Sequence, residues 1–187
     1  MFYSRLMLLL LGALNFQLVF SQQGSSPVSD PNLVADSIRG SVNARTVALF
    51  GNDSIRITYH SPAVRKRIIW GGLVPFGEVW VTGAHNATTL EASAPLVIGQ
   101  TEIAAGKYAL FTIPGPDKWV VIINKNWNQH LAWDYDAKED MVRVEVTPLA
   151  APHLERLQYF ITPVSPTNGS IGMRWEKLKI EFPVRLK

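Results

Sequence analysis

Apolar and polar side chains alternate one by one along much of this chain. In Ile55-Arg56-Ile57-Thr58-Tyr59-His60, a period of two puts Ile55, Ile57 and Tyr59 on one face and Arg56, Thr58 and His60 on the other. That pattern predicts a strand buried on one side. Val142, Val144 and Val146 repeat it against Arg143, Glu145 and Thr147, and Leu178, Ile180 and Phe182 against Lys177, Lys179 and Glu181. Two segments, Tyr108 to Ile113 and Trp119 to Ile123, are apolar without alternation, which predicts strands covered on both faces. Between them Pro114-Gly115-Pro116-Asp117-Lys118 is hairpin punctuation, because proline has no N–H to continue a ladder. Trp175 and Leu178 fall on opposite faces of a regular strand, so burying both requires a bulge near Glu176-Lys177. Past the N-terminus no helical stripe is sustained, and Ala137 to Asp140 predicts at most one helical turn. About nine short strands with regular turn signals predict an all-β fold, a single antiparallel β-sandwich or jelly-roll-like domain over residues 46–187.

The first residues follow a different rule. Arg5 precedes an apolar run from Leu6 to Phe20, and Val19 and Ser21 offer small or modest side chains before Gln22. This is the layout of a secretory signal peptide over residues 1–21. Asn15 and Gln17 interrupt the run, which falls short of the ~20 apolar residues a bilayer span needs. An exported protein, periplasmic or secreted, is therefore expected, with no membrane span after cleavage. Gln22 to Asn32 is rich in Gln, Ser, Pro and Gly, so residues 22–45 read as a flexible leader.

Charge and cysteine content narrow the chemistry. The formal net charge is +3, and residues 1–21 carry one cation, Arg5, and no carboxylate, so +2 remains after cleavage. That is too little to argue for nucleic acid as a partner. Arg65-Lys66-Arg67 is the one tight basic cluster and reads as a solvated turn. With no cysteine, the chain must be held together by its core, and thiol catalysis and thiolate metal sites are excluded.

Four histidines are available: His60, His85, His130 and His153. His60 ends a strand on its polar face, and His85 follows Trp80 in a glycine-rich corner. Pairing of those segments with Glu91 or Glu78 nearby would make a metal or acid–base set. A cupin-type metal site fails on ligand count, because Ala87 stands where a second histidine of a His-x-His pair belongs. Asp134, Asp136, Glu139 and Asp140 lack the glycine and terminal glutamate of a calcium loop and read as a solvated turn. No metal or other cofactor is expected. Six tryptophans remain. Trp119 and Trp175 lie within apolar strands and read as core. Trp127, Trp133 and Tyr135 sit in the polar stretch NKNWNQHLAWDYD and, with Trp80, His85 and Asn86 of the corner, form a candidate ligand-binding surface.

From Tyr59 to about Val184 the chain resembles the bacterial domain of unknown function 2911. The resemblance is carried by YHSPAVRKRIIWGGLVPFGEVWVTGAHNATTL, IAAGKYALFTIPG, WVVIINKN, WDYDAKEDMVRVEV and MRWEKLKIEFPV, in that order. It implies an exported, β-rich protein and assigns no catalytic role. Members of that family read W-R-T-G-A-N-E-A-T in the key block; here Val81 replaces the arginine, His85 the asparagine and Asn86 the glutamate.

The leading expectation is a non-catalytic binding module for a small molecule, a sugar or glycan, a peptide or an envelope protein. The alternative is a metal-assisted hydrolase using His60, His85 and Glu91; a purely structural envelope component is the third possibility.

Overall fold

The computed structural model describes residues 40–187. The expected export signal and most of the expected leader lie outside the described residues. Ten strands follow in chain order: β1 (Val42–Phe50), β2 (Asp53–Ser61), β3 (Thr88–Ala92), β4 (Leu96–Ile98), β5 (Thr101–Ile103), β6 (Gly106–Ile113), β7 (Trp119–Asn124), β8 (Asp140–Val146), β9 (Leu149–Pro163) and β10 (Asn168–Leu186). They form a six-stranded sheet, β1-β2-β3-β6-β7-β8, and a four-stranded sheet, β5-β4-β10-β9. Neighbouring strands are antiparallel throughout. The fold is the expected all-β antiparallel sandwich. Among the described residues the helical content is one 3-10 turn, Ala137–Glu139, where one turn was expected.

β1 begins at Val42, inside the stretch read as leader. Its alternation explains the early start: Thr46 and Phe50 are buried, while Asn43, Arg45, Val47 and Leu49 face solvent. The Thr46 hydroxyl donates to the Tyr159 carbonyl (3.0 Å) and ties this edge of the large sheet to the small one.

The sheets enclose a core of aliphatic side chains around four indoles. Trp70, Trp80, Trp119 and Trp175 lie with ring centroids 4.9 to 6.3 Å apart, mostly edge to face, as aromatic quadrupoles prefer. Burial of Trp119 and Trp175 is as expected. The bulge also falls where it was expected: the β9–β10 register shifts on both sides of Glu176, which takes φ +55°. There β10 turns back on itself. Ser170 Oγ donates to Glu181 Oε1 (2.5 Å), although eleven extended residues would span roughly 36 Å.

A second, smaller core lies on the outer face of the large sheet. Ala109, Phe111 and Ile122 point outward there and are covered by Val81 and Ala87 of the corner and by Leu131, Ala132 and Tyr135 of the loop after β7. This cover explains why β6 and β7 are apolar on both faces. β8, at the sheet edge, keeps Val144 and Val146 only half-buried.

Candidate functional site

The corner between Trp80 and Thr88 is held by buried hydrogen bonds. Tyr159 Oη (3.0 Å) and Thr88 Oγ1 (3.2 Å) both donate to the Thr82 carbonyl, and the hydroxyls of Thr82 and Thr112 are 2.9 Å apart. Burial pushes the Tyr159 phenol far up, which keeps it a donor. Gly83 fits closely here: a β-carbon would stand 3.0 Å from both the His60 carbonyl oxygen and Thr88 Oγ1. The corner therefore presses against the end of β2. It presents His85, at φ +61°, and Asn86 to the outer face.

The loop after β7 docks on this corner. Leu131 N–H donates to the His85 carbonyl (2.7 Å), and Ala87 N–H to the Gln129 carbonyl (3.0 Å). His130 Nδ1 lies 3.2 Å from Asn86 Oδ1, an acceptor, so the bond requires the proton on Nδ1. The loop covers β6 and β7 but stops short of β1 and β2. A groove of about 230 Å3 remains beside it. Asn43, Thr58, His60, Thr89 and Lys107 form its strand-borne floor; Asn86, Trp127, Asn128 and Gln129 form its wall.

The groove is lined mostly by polar residues, though much of its surface is their carbon and the Trp127 ring, and it is almost uncharged. Its one formal cation, Lys107 Nζ, sits 3.9 Å from the centroid of the Trp127 ring, where the face of the ring attracts it. Gln129 is only 5 % exposed, yet its Oε1 has no hydrogen-bond partner among the described residues. Its orientation is set by Nε2, which donates to the Asn126 carbonyl. A buried amide oxygen without a partner costs about 1–3 kcal/mol.

His60 lies edge-on to His85, ring centroids 5.2 Å apart. Burial first, then His85 and His130, hold its pKa below the ordinary 6.5. The unfolded chain thus binds more protons than the folded one just below that pH. Stability is then fully present above it, falls as pH drops through 6.5, and levels off below the folded pKa. Thermal melts from about pH 8 to about pH 5 should show a shallower loss in His60→Asn than in the parent chain. Identical slopes would remove His60 from the effect.

The expected residues are thus divided. His60, Asn86 and Trp127 line the groove, and His85 is not among its lining residues but lies edge-on to His60. Trp133 is 77 % exposed, edge-on to His130 (5.4 Å), outside the groove. Trp80, expected on the ligand surface, is half-buried and stacked against Trp175 of the core (5.9 Å, 21°), with its indole N–H donated to the Gly83 carbonyl. Tyr135 is likewise engaged internally. Its ring meets Phe111 and its hydroxyl donates to Asp140 (2.7 Å), so burial and that carboxylate push its pKa up to about 12. Asp140 also accepts from Arg143 (2.7 Å) and Asn124 (2.8 Å), which makes the acidic stretch a structural brace.

Glu91 does not join the histidines. It pairs with Arg56 (3.3 Å), its cross-strand partner, four positions and about 13 Å along β2 from His60. Among the described residues no three His, Asp or Glu side chains are placed to hold a metal ion. The geometry does not assemble the hydrolytic set.

Where the family resemblance puts an arginine, Val81 is buried in the outer core; where it puts asparagine, His85 takes the left-handed φ that asparagine tolerates well. Sequence reasoning missed Asn43, Lys107, Asn128, Gln129 and the part played by His130. Thr58 shares the outer face of β2 with His60, a signal legible in the alternation. Nothing in the spacing marks Gln129.

A larger cleft of about 580 Å3 opens between β8, β10 and the β4–β5 turn. Its charged side chains are already paired: Arg143 with Asp140, Glu145 with Lys118, Glu181 with Lys179. It holds no buried polar atom without a partner among the described residues, so the smaller groove is the better candidate. No helix among the described residues is long and apolar enough to cross a membrane.

Comparison with curated proteins and with solved structures returned no match. Residues 41–184 match the profile of the family described as protein of unknown function (DUF2911), and the chain belongs to that family.

Proposed function

We propose that this protein is a non-catalytic binding module, exported to the periplasm or beyond, whose groove takes a small uncharged polyhydroxylated ligand such as a sugar or the end of a glycan. The observation that carries the reading is Gln129, a residue of the groove wall whose side-chain carbonyl oxygen is buried without a partner among the described residues. Around it stand amides and hydroxyls in fixed positions, Asn43, Thr58, Asn86, Thr89 and Asn128, with the half-exposed Trp127 ring as an apolar wall. Neutral donors and acceptors beside an indole suit a sugar, which presents hydroxyls at its edge and C–H groups on its face. A charged ligand would find only Lys107, already placed over an aromatic ring. Export is supported by the layout of residues 1–21.

The test is a calorimetric and tryptophan-fluorescence titration of the processed chain with neutral mono- and oligosaccharides, and with short peptides for comparison. A saturable response to a sugar is expected, weakened about tenfold in Trp127→Ala, the cost of one well-packed aromatic contact. Melting should be nearly unchanged, because that ring is half exposed. No saturable response to any sugar, or equal affinity in Trp127→Ala, would defeat the proposal.

A further inference from the structure

The turn that carries Trp70 into the core has an outer surface with no role in the groove. Ile68 is 79 %, Leu73 46 % and Phe76 43 % exposed, three large apolar side chains within nine residues. They are contiguous in space. The Phe76 ring lies over Gly71, where a β-carbon would be 2.9 Å from Cε2, and the Ile68 γ-methyl lies over Gly72 at 3.0 Å. Leu73 N–H donates to the Ile68 carbonyl (3.0 Å), which holds those two residues side by side. Scattered apolar residues on a surface are ordinary, whereas a joined patch marks contact with something apolar.

Directly before the patch come Arg65, Lys66 and Arg67, all exposed, the first two in the left-handed region at φ +49° and +59°. Lys66 and Arg67 form no ion pair among the described residues. The Arg67 guanidinium is braced by the carbonyls of Ala63 and Val64, neutral acceptors that leave its charge uncompensated. Glu155 accepts from Arg65 N–H (2.9 Å), and Glu78 is the one carboxylate within residues 65–78, which carry three cations against that single anion. Exposed apolar side chains bordered by cations match a surface that is apolar below and anionic at its face.

We propose that the segment Arg65–Phe76 seats this protein on an anionic phospholipid bilayer, with Ile68, Leu73 and Phe76 in the acyl boundary and Lys66 and Arg67 among the headgroups. The contact is peripheral and reversible, since three side chains bury too little to anchor permanently.

The test is co-sedimentation of the processed chain, its N-terminus read by mass spectrometry, with vesicles of phosphatidylcholine alone or with about 30 % phosphatidylglycerol. Binding to the anionic vesicles is expected, falling with added salt. Lys66→Glu should weaken it about tenfold or more, since each cation near such a surface counts for about fivefold. Ile68→Ser/Leu73→Ser should abolish it while leaving the melting temperature near that of the parent. No binding, equal binding to both vesicle types, or binding unchanged in these variants would overturn the proposal and leave the patch to a protein partner.

Discussion

Trp119→Ala should cost about 3–5 kcal/mol of folding free energy, the range for deleting a buried aromatic side chain from a packed core. Trp119 is fully buried on the inner face of β7, with the Trp70 ring 4.9 Å and the Trp80 ring 6.3 Å from its own. These neighbours come from a turn and a corner held by their own backbone bonds, so they cannot collapse into the vacated space. The Trp119 indole N–H has no hydrogen-bond partner among the described residues, so the loss is one of packing and of apolar area, with no bond forfeited there. Against a total stability of about 5–15 kcal/mol, such a loss brings the chain close to unfolding at ordinary temperature. Urea titration followed by far-ultraviolet circular dichroism measures it, with Trp133→Ala, expected to change stability by less than about 0.5 kcal/mol, as the control. A Trp119→Ala protein within about 1 kcal/mol of the parent would mean that the four-indole cluster is not the centre of the core.

Gly172→Ala is expected to be among the most damaging additions of a single methyl group. A β-carbon there would overlap the Phe160 ring and stand 2.6 Å from the Ile180 carbonyl oxygen. The ring can turn aside; the carbonyl belongs to the returning half of β10 and cannot. A loss of about 1–3 kcal/mol follows from overpacking of this kind. If the strain is relieved by parting the two halves of β10, the variant will also exchange the amides around Ser170 and Ile180 faster, a difference readable by hydrogen exchange. Stability and exchange equal to those of the parent would show that β10 does not fold back so tightly.

Both sites were partly visible in the order of residues. The bulge at Glu176 could be expected, because Trp175 and Leu178 are both apolar yet sit on opposite faces of a straight strand. That β10 would turn back there could not, since the partner carbonyl comes from Ile180 and only the bent chain brings it to Gly172. Likewise burial of Trp119 could be expected from its apolar run, whereas Trp80, among glycines and a threonine, looked available for a ligand. It is held instead by Trp175, which is 95 positions away and has no spacing rule connecting it to the corner.

The candidate site divides in the same manner. His60 and Asn86 were recognisable as polar side chains at a strand end and a corner, and Trp127 as an aromatic in polar company. Lys107 and Gln129 were not. Lys107 enters the groove because β3 pairs with β6 in a register that sets it opposite Glu91, and Gln129 because the loop after β7 bonds back to Ala87. Glu91 was expected beside the histidines and lies beside Arg56, because the β2–β3 register carries it four positions down the strand.

By itself the sequence determined which faces of the strands are apolar, where the helical turn at Ala137–Glu139 and the bulge fall, and to which family the chain belongs. Those are properties of consecutive residues, since an extended chain points alternate side chains to opposite sides wherever it lies. Tertiary structure alone decided which outward face would be roofed by the loop and which left open as a groove, and which candidate residues meet there. Convergence depends on strand register and loop docking, fixed by contacts between residues far apart in the chain, and no local period encodes them.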